Sequence, residues 1–542
     1  MALKHREQAT GVLSEPESSE PLLGAMSVTL ISPSPDPHYI FAYGVRILSA
    51  CLKQIGCRVN VIFLPRVIGD LYSDRILEQI VQLSAHSSLI GVSLMTDDFE
   101  NAVRITQKLK LSLTAPIVWG GVHPTLQPTQ CSEHADIVCL GEAEETLVEL
   151  AQKMRSGEGY HHVEGTWQKS KGTLITNPLR LPVRDLDRLP FPDYDYQEHS
   201  ILIGDQIVPL THEVLEDRLR ERYLTLTSRG CPFKCNYCFN HSYHRLFPGS
   251  PTIRKRSIDN VIRELTIVQE RFPSIDQICI ADDALLLRSN EDIEDFGRKY
   301  KANIRIPMWV TGANPSTITA RKLAALADGG MNVIRMGLQT ASPRTLKLYS
   351  RNESNQQAKA AVQLLNTFRD KIKTVQLDIL VDNPWEVASD VRATLLFLCR
   401  LPVPFELFLF PLVFYPGTDL YDKAVEAGLI PKEQNEKQRA RNHQVKSTYL
   451  NSVLVLLNER VRSCRRIPLP LMLLLTEPVL IRLRISQFMY WIFKSRTDGR
   501  LVAGMKEMIS YKVREAFSKD ATVKCNRDRN SGDFDPRLRA TE

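Results

Sequence analysis

The stretch SRGCPFKCNYCFNHSYH, residues 228 to 244, holds three cysteines, Cys231, Cys235 and Cys238, within eight residues, and no fourth follows nearby. Three readings compete for it. A structural zinc ion wants four ligands, and His241 or His244 would complete a Cys3His set. Iron–sulfur clusters take cysteine thiolates, and a four-iron cluster held by only three keeps one iron open to another ligand. Thiols buried in a core and binding nothing are the third reading. The neighbouring sequence has to discriminate between them.

Working outward, the run follows a short apolar segment, YLTLT (223–227), that opens a series of strand-like segments. The others are QICIADD (277–283), IPMWVTG (306–312), NVIRMGLQT (332–340), TVQLDILVD (374–382) and ELFLFPLVFYP (406–416), with helical periods such as PSTITARKLAALADGG between them. Six strand–helix units without a closing pair predict an open, partial (βα)6 barrel. The cysteines fall just after its first strand, at the end where barrel active sites are built.

Upstream, from Met26, five apolar runs alternate with amphipathic stretches such as YGVRILSACLKQIG and FENAVRITQKLKLSL. The runs are SVTLISP, RVNVIFLP, SLIGVSLMT, APIVWGG and DIVCLGE. That alternation predicts a doubly wound α/β domain, a five-stranded parallel sheet with helices on both faces. The loops at the carboxyl ends of its strands carry Ser93, Gly120, Gly121, Gly141 and Glu142, and ligands bind at that edge. The predicted division is a disordered 1–25, the sheet domain 26–157, a linker with a hairpin 158–220, the barrel 221–430 and a basic, mainly helical extension 431–542.

Composition bounds the rest. With 43% hydrophobic and 24% charged residues in 542, the chain is globular and long enough for several cores. The first 25 residues lack the apolar core and cleavage site of a secretory signal, so a cytoplasmic location is expected, where close cysteines serve better as metal ligands than as disulfides. The net charge of +7 hides an asymmetry: residues 431–542 carry 23 Lys and Arg against 12 Asp and Glu. Beside those charges lies IPLPLMLLLTEPVLIRLRISQFMYWIF (467–493), whose apolar runs are far shorter than the ~20 residues of a spanning helix. A helical cap on the barrel mouth is the preferred reading of that segment, with contact to a membrane surface as its rival. No nucleic-acid module is visible.

The C-x3-C-x2-C spacing with Tyr237 before the last cysteine, IADD, MGLQT, LVDNPWE (380–386) and FYPGTDLYDKA (414–424) resemble the radical S-adenosylmethionine superfamily. VSLMT, WGGVHPT, LGEAEETLVEL and LDRLPFPD are similar to the branch of it that carries an N-terminal cobalamin-binding domain. The resemblance covers residues 26 to 430. It implies a [4Fe-4S] cluster on Cys231, Cys235 and Cys238 whose open iron chelates S-adenosylmethionine, and cleavage of that molecule to a 5′-deoxyadenosyl radical. It also implies roles toward S-adenosylmethionine for Tyr237, Asp282, Asp283, Gly337, Gln339 and Asn383. Cobalamin would lie over Ser93, Gly120, Gly121, Gly141 and Glu142.

Two departures from the family pattern stand out. DPHYIFAYG (36–44) has Asp36 and His38 of a D-x-H-x-x-G cobalamin-ligand motif but a displaced Gly44, so His38 is expected to be a loop residue. In LVDNPWE, Asp382 stands where Gly is usual.

The implied activity is methyl transfer to an unactivated carbon or phosphorus centre of a small, lipophilic or anionic substrate, with electrons from a flavodoxin- or ferredoxin-type donor. Ring closure, rearrangement or oxidation with the same cofactors is the alternative, and a non-catalytic zinc or cobalamin sensor the third reading. Anaerobically purified protein is expected to hold about four irons per chain and little zinc. Cys231→Ala, Cys235→Ala and Cys238→Ala should each lose the cluster and adenosylmethionine cleavage together, as metal analysis and deoxyadenosine release would show; stoichiometric zinc would contradict the expectation.

Overall fold

The computed structural model describes residues 26–34, 42–170, 172–431 and 442–477. The predicted disordered start, the Asp36/His38 pair and everything after residue 477, including most of the 467–493 segment, lie outside the described residues.

The first sheet is built on β1 (Ser27–Ser34), β2 (Arg58–Pro65), β3 (Leu89–Ser93), β4 (Ile117–Gly120) and β5 (Ile137–Cys139), all parallel, in the order β5-β4-β3-β1-β2. Their side chains feed two cores. Val28, Leu30, Val59 and Val61 pack against Val45 and Leu52 of helix Tyr43–Gln54 and Leu147 and Leu150 of helix Glu144–Ser156. Ile31, Ile62, Ile90 and Val92 pack against Ile76 and Ile80 of helix Asp74–Ser84 and Ile105 and Leu109 of helix Phe99–Lys110. Burial on both faces is why these strands read as continuous apolar runs. Chain order reverses between β1 and β3, the switch point at which such sheets bind ligands.

The sheet does not end at residue 157, as the sequence reading had it. A hairpin of β6 (Thr166–Ser170) and β7 (Thr173–Thr176) adds antiparallel to β5. A second hairpin, β8 (Ser200–Ile203) and β9 (Gln206–Pro209), adds beyond β2, giving nine strands. The expected linker is therefore part of this domain. Its Pro-rich middle is a buttress: the guanidinium of fully buried Arg46 lies 4.4 Å from the rings of both Phe63 and Tyr194 and donates to Asp193 O.

The second sheet begins at β10 (Tyr223–Thr225). A small ribbon follows, β11 (Ser228–Arg229) paired antiparallel with β12 (Arg254–Lys255). Then come β13 (Ile278–Ile280), β14 (Met308–Ala313), β15 (Met331–Gln339), β16 (Thr374–Val381) and β17 (Glu406–Pro411). The six main strands are parallel and in chain order, β10-β13-β14-β15-β16-β17, as an open (βα)6 barrel requires. Alternation along them separates two faces. Ile334, Met336 and Leu338 of β15 join the core, while Arg335, Gly337 and Gln339 point the other way.

The two described helices of the C-terminal segment cover an edge of this barrel. Helix Tyr449–Arg462 packs on β17, where Asn458 accepts from Leu407 N and donates to Leu407 O, taking the place of a neighbouring strand. Helix Leu469–Leu475 lies against helix Ala388–Leu398, burying Met472 and Leu475 and leaving Leu474 exposed. The described part of the run expected to cap the mouth packs on helix Ala388–Leu398 instead, and the remainder of that run lies outside the described residues. No described helix is long and apolar enough to cross a membrane.

Asp382 explains itself here. It holds a left-handed backbone, φ 61°, where glycine is the easy residue, and its carboxylate accepts from Lys446 N and Asn451 Nδ2, both at 2.8 Å. Asp382→Gly should relieve about 1 kcal/mol of backbone cost but lose both contacts, for a net loosening of the 442–477 segment. Faster clipping of that segment in limited proteolysis, with the iron–sulfur content unchanged, is the expected result.

Candidate active site

The three cysteines lie in the loop between β11 and helix Phe239–Leu246, and several contacts fix that loop. Gly230 takes φ 94°, with the carbonyl of Thr252 where a Cβ would stand. Asn236 donates its side-chain amide to Leu348 O at 2.7 Å, and its carbonyl accepts from Leu420 N. The Tyr237 ring packs edge-on against Tyr349, with its hydroxyl 3.2 Å from Arg351 Nη1.

Burial pushes the Cys231 thiol up to about 12 and the Cys238 thiol up to about 11, and raises that of Cys235. Such thiols ionise only against a bound cation. Among the described residues no three His, Cys, Asp or Glu side chains converge on a point that would hold a single metal ion. Neither histidine completes a zinc set: His244 Nε2 is 3.0 Å from Cys231 O, and His241 pairs with Asp419. Both histidines that could have completed a Cys3His set are thus engaged elsewhere, which leaves the three thiols as the loop's ligand set.

The two aspartates after β13 separate in role. Asp282 is buried, and its carboxylate accepts from the backbone N–H and hydroxyl of both Thr227 and Ser228, at 2.6 to 3.3 Å. Its acceptor capacity goes into the turn that leads to the cysteines. Asp283 lines the main cavity, and burial raises its pKa. Gly337 and Gln339 sit at a bulge in β15: Gln339 has φ 67°, and its Nε2 lies 2.8 Å from where a Gly337 Cβ would be. Asn383 is spent locally, donating to Tyr349 OH and accepting from Trp385 N, both at 3.0 Å. Asp282 and Asn383 therefore support the loops around the site, and the carboxylate of the pair that lines the cavity is that of Asp283.

Between the two sheets lies a cavity of about 760 Å³. One wall is the edge of the first sheet, with Gly121, Val122, Thr125, Leu126 and Gly141; the opposite wall holds Tyr237, Cys238, Asn240 and Asp283. A second, mostly apolar cavity of about 290 Å³ runs from this edge into the sheet domain past Leu30, Gly91, Ser93 and Gly120. Gly121 has φ 111°, and a Cβ there would lie 2.6 Å from Leu94 O. Together they fit a broad flat ligand laid over the edge with an arm descending into the domain.

Glu142 plays another part. It pairs with Arg254 at 2.6 Å and Arg229 at 3.2 Å, while Arg229 reaches Glu144 at 2.7 Å. Burial opposes its charge, yet Arg254 and Arg229 hold its carboxyl below the usual range. It positions the two walls relative to each other. Sequence reasoning passed over Arg229, Arg254 and Arg351, because an arginine outside any motif gives no local sign of its distant partner.

Comparison with known proteins follows this geometry. A model described as the radical SAM superfamily matches residues 225–388, and one described as the B12 binding domain matches residues 36–151. An uncharacterized methyltransferase of Pyrococcus horikoshii is 24% identical over 371 residues, 67% of this chain and 76% of that protein. The anaerobic magnesium-protoporphyrin IX monomethyl ester cyclase of Rubrivivax gelatinosus is 24% identical over 330 residues, 59% of this chain and 56% of that protein. The structure of the radical S-adenosylmethionine methyltransferase TsrM from Kitasatospora setae, with cobalamin and a [4Fe-4S] cluster bound, shares the fold. Its TM-score is 0.57 at 17% identity, over 74% of this chain and 75% of that one.

Gly120 offers a clean probe of the cavities. A Cβ there meets only Cys139 Cβ, at 3.7 Å, and its backbone is not left-handed, so Gly120→Leu would project into the 290 Å³ space without backbone strain. Loss of cobalamin binding with unchanged iron content and melting temperature is expected, by absorption and metal analysis. Gly121→Ala should instead lower the melting temperature, because it forces both φ and a backbone contact.

Proposed function

For this chain, a radical S-adenosylmethionine enzyme with a B12-binding domain, we propose methyl transfer to an unactivated carbon or phosphorus centre of a small, lipophilic or anionic molecule. The observation that carries the proposal is the single cavity of about 760 Å³ shared by Gly121 and Gly141 of the sheet edge and Cys238 and Asp283 of the cysteine loop. Two reactive groups that must meet one substrate need one space.

In this reading Cys231, Cys235 and Cys238 hold the [4Fe-4S] cluster, and Asp283 and the Gly337–Gln339 bulge face S-adenosylmethionine. Gly120, Gly121 and Gly141 let the corrin lie on the sheet edge. The bound groups supply the radical that removes a substrate hydrogen and the methyl that replaces it. The chain's own work is placement and exclusion of water. Arg351 steers from behind Tyr237, donating to Gly337 O at 2.9 Å and pairing with Glu353 at 3.0 Å. Asp282 and Arg288 brace the turn before the cysteines, Arg288 donating to Thr227 O at 2.6 Å. Substrate would enter along the inward face of β15 to β17, where Arg335 pairs with Asp378 at 2.7 Å beside the stacked rings of Phe408 and Phe410. Electrons would come from a flavodoxin- or ferredoxin-type protein.

A second reading keeps the cofactors and replaces methyl transfer by ring closure, rearrangement or oxidation; similarity to a cyclase supports it. Anaerobic reconstitution with cobalamin, S-adenosylmethionine and a reductant, followed by mass spectrometry of candidate substrates, distinguishes them. A gain of one methyl group, with S-adenosylhomocysteine and deoxyadenosine formed in step, is the expected result. Loss of two hydrogens without a methyl would favour the second reading.

A further inference from the structure

One polar pair in the wall of the main cavity is used by nothing described so far. Asp97 follows β3, in the turn Met95–Asp98 at the sheet edge, and His443 belongs to the C-terminal segment outside both matched domains. Both line the 760 Å³ cavity, with Tyr415 beside them. His443 Nε2 lies 3.1 Å from Asp97 Oδ2, an ion-pair separation without the alignment of a hydrogen bond. The Asp97 side chain is 9% exposed, and its Oδ1 has no partner among the described residues.

That arrangement asks for a ligand. A buried carboxylate oxygen without a donor costs about 1–3 kcal/mol or more, and native structures rarely leave one so. Nearby Arg66 does not fill the gap: its guanidinium donates to the backbone carbonyl of Asp97 at 2.5 Å and pairs with Asp98 at 3.0 Å. A ligand in the cavity that Asp97 lines would supply the missing N–H donor. Its position tells which ligand. Leu94 N donates to Gly120 O at 2.9 Å, so the chain enters this turn from the edge on which the glycines sit, on the opposite side from Tyr237 and Cys238. A corrin resting on that edge carries a rim of carboxamides, which supply N–H donors at its periphery.

We propose that Asp97 and His443 form a recognition site for a carboxamide on the corrin rim, so that the C-terminal extension supplies part of the cobalamin site. The inference rests on the reading of this cavity as a corrinoid site. Asp97 accepts the amide N–H, and His443 lies over it as a clasp from the other end of the chain. The extension is anchored by Asp382 and Asn458, away from the cavity, which frees His443 for this contact.

Equilibrium binding of hydroxocobalamin to the full-length protein, followed by its absorption, tests the proposal. Asp97→Ala and His443→Ala should each weaken binding about tenfold, the size of one hydrogen bond to a charged acceptor. Asp97→Asn, which keeps an acceptor oxygen without the charge, should recover part of the loss. Dicyanocobinamide, which has the ring amides but no nucleotide arm, should show the same fold-change. Iron content, S-adenosylmethionine binding and melting temperature should not move. Wild-type affinity in both alanine variants would overturn the inference, as would a loss confined to hydroxocobalamin or a loss accompanied by a lower melting temperature and no recovery with Asn. Failure of the unmodified protein to bind either corrinoid would instead sink the proposed function, and the inference with it.

Discussion

Four charged side chains set the distance between the halves of this molecule. Glu142 and Glu144 follow β5 on the sheet edge, and Arg229 and Arg254 face each other across the β11–β12 ribbon. All four are largely buried, so their desolvation makes the network a poor source of net stability. Its value is register. Removing one member would strand a charge, at a cost of about 3–5 kcal/mol, so the two halves have one relative position that satisfies all four. Arg229 is two residues before Cys231, and Glu142 is next to Gly141, so that position also fixes the cavity width. Gly141 then lets the sheet edge come close to the cysteine half, since a Cβ there would meet the Phe247 ring at 3.0 Å.

The fold was legible wherever burial imposes a period. The five parallel strands of the first sheet and the six of the second read as short apolar runs because each buries at least one face against helices, and β4 and β5 of the first sheet carry glycines at or just past their carboxyl ends. The hairpins β6–β7 and β8–β9 were not assigned to that sheet, because an edge hairpin has the composition of any surface hairpin and nothing local names the strand it joins. Cys231, Cys235 and Cys238 stood out because three cysteines are compressed into one loop. Asp282 and Asn383 show the limit: both were expected to face S-adenosylmethionine and both are engaged with neighbouring loops, a difference sequence does not display, since a carboxylate beside a ligand and one beneath a turn look the same in it.

Asp382 shows how a departure from a pattern can carry information. A left-handed residue with a side chain costs more than glycine, and the cost is offset only if that side chain does something. Here it anchors Lys446 and Asn451, whose helix supplies Asn458 to the edge of β17. An open barrel leaves an unpaired edge, and a chain that covers it with its own extension avoids strand addition by another molecule. The described part of the extension therefore has a structural role at that edge.

The same anchoring bears on the cavity. Because Asp382 and Asn458 hold the extension from outside the barrel, the segment preceding Tyr449 can bring His443 back to Asp97 on the sheet domain. The 760 Å³ space is thus walled by three parts of the chain that are distant in sequence: the sheet edge, the cysteine loop and the extension. Under the proposed function, two cofactors and a substrate would have to be held within contact while water is kept out. Neither domain could enclose that volume alone, since each presents an open edge to it. Closure comes from pairing two incomplete surfaces and fastening them with buried charge, which places the most constrained contacts beside the chemistry.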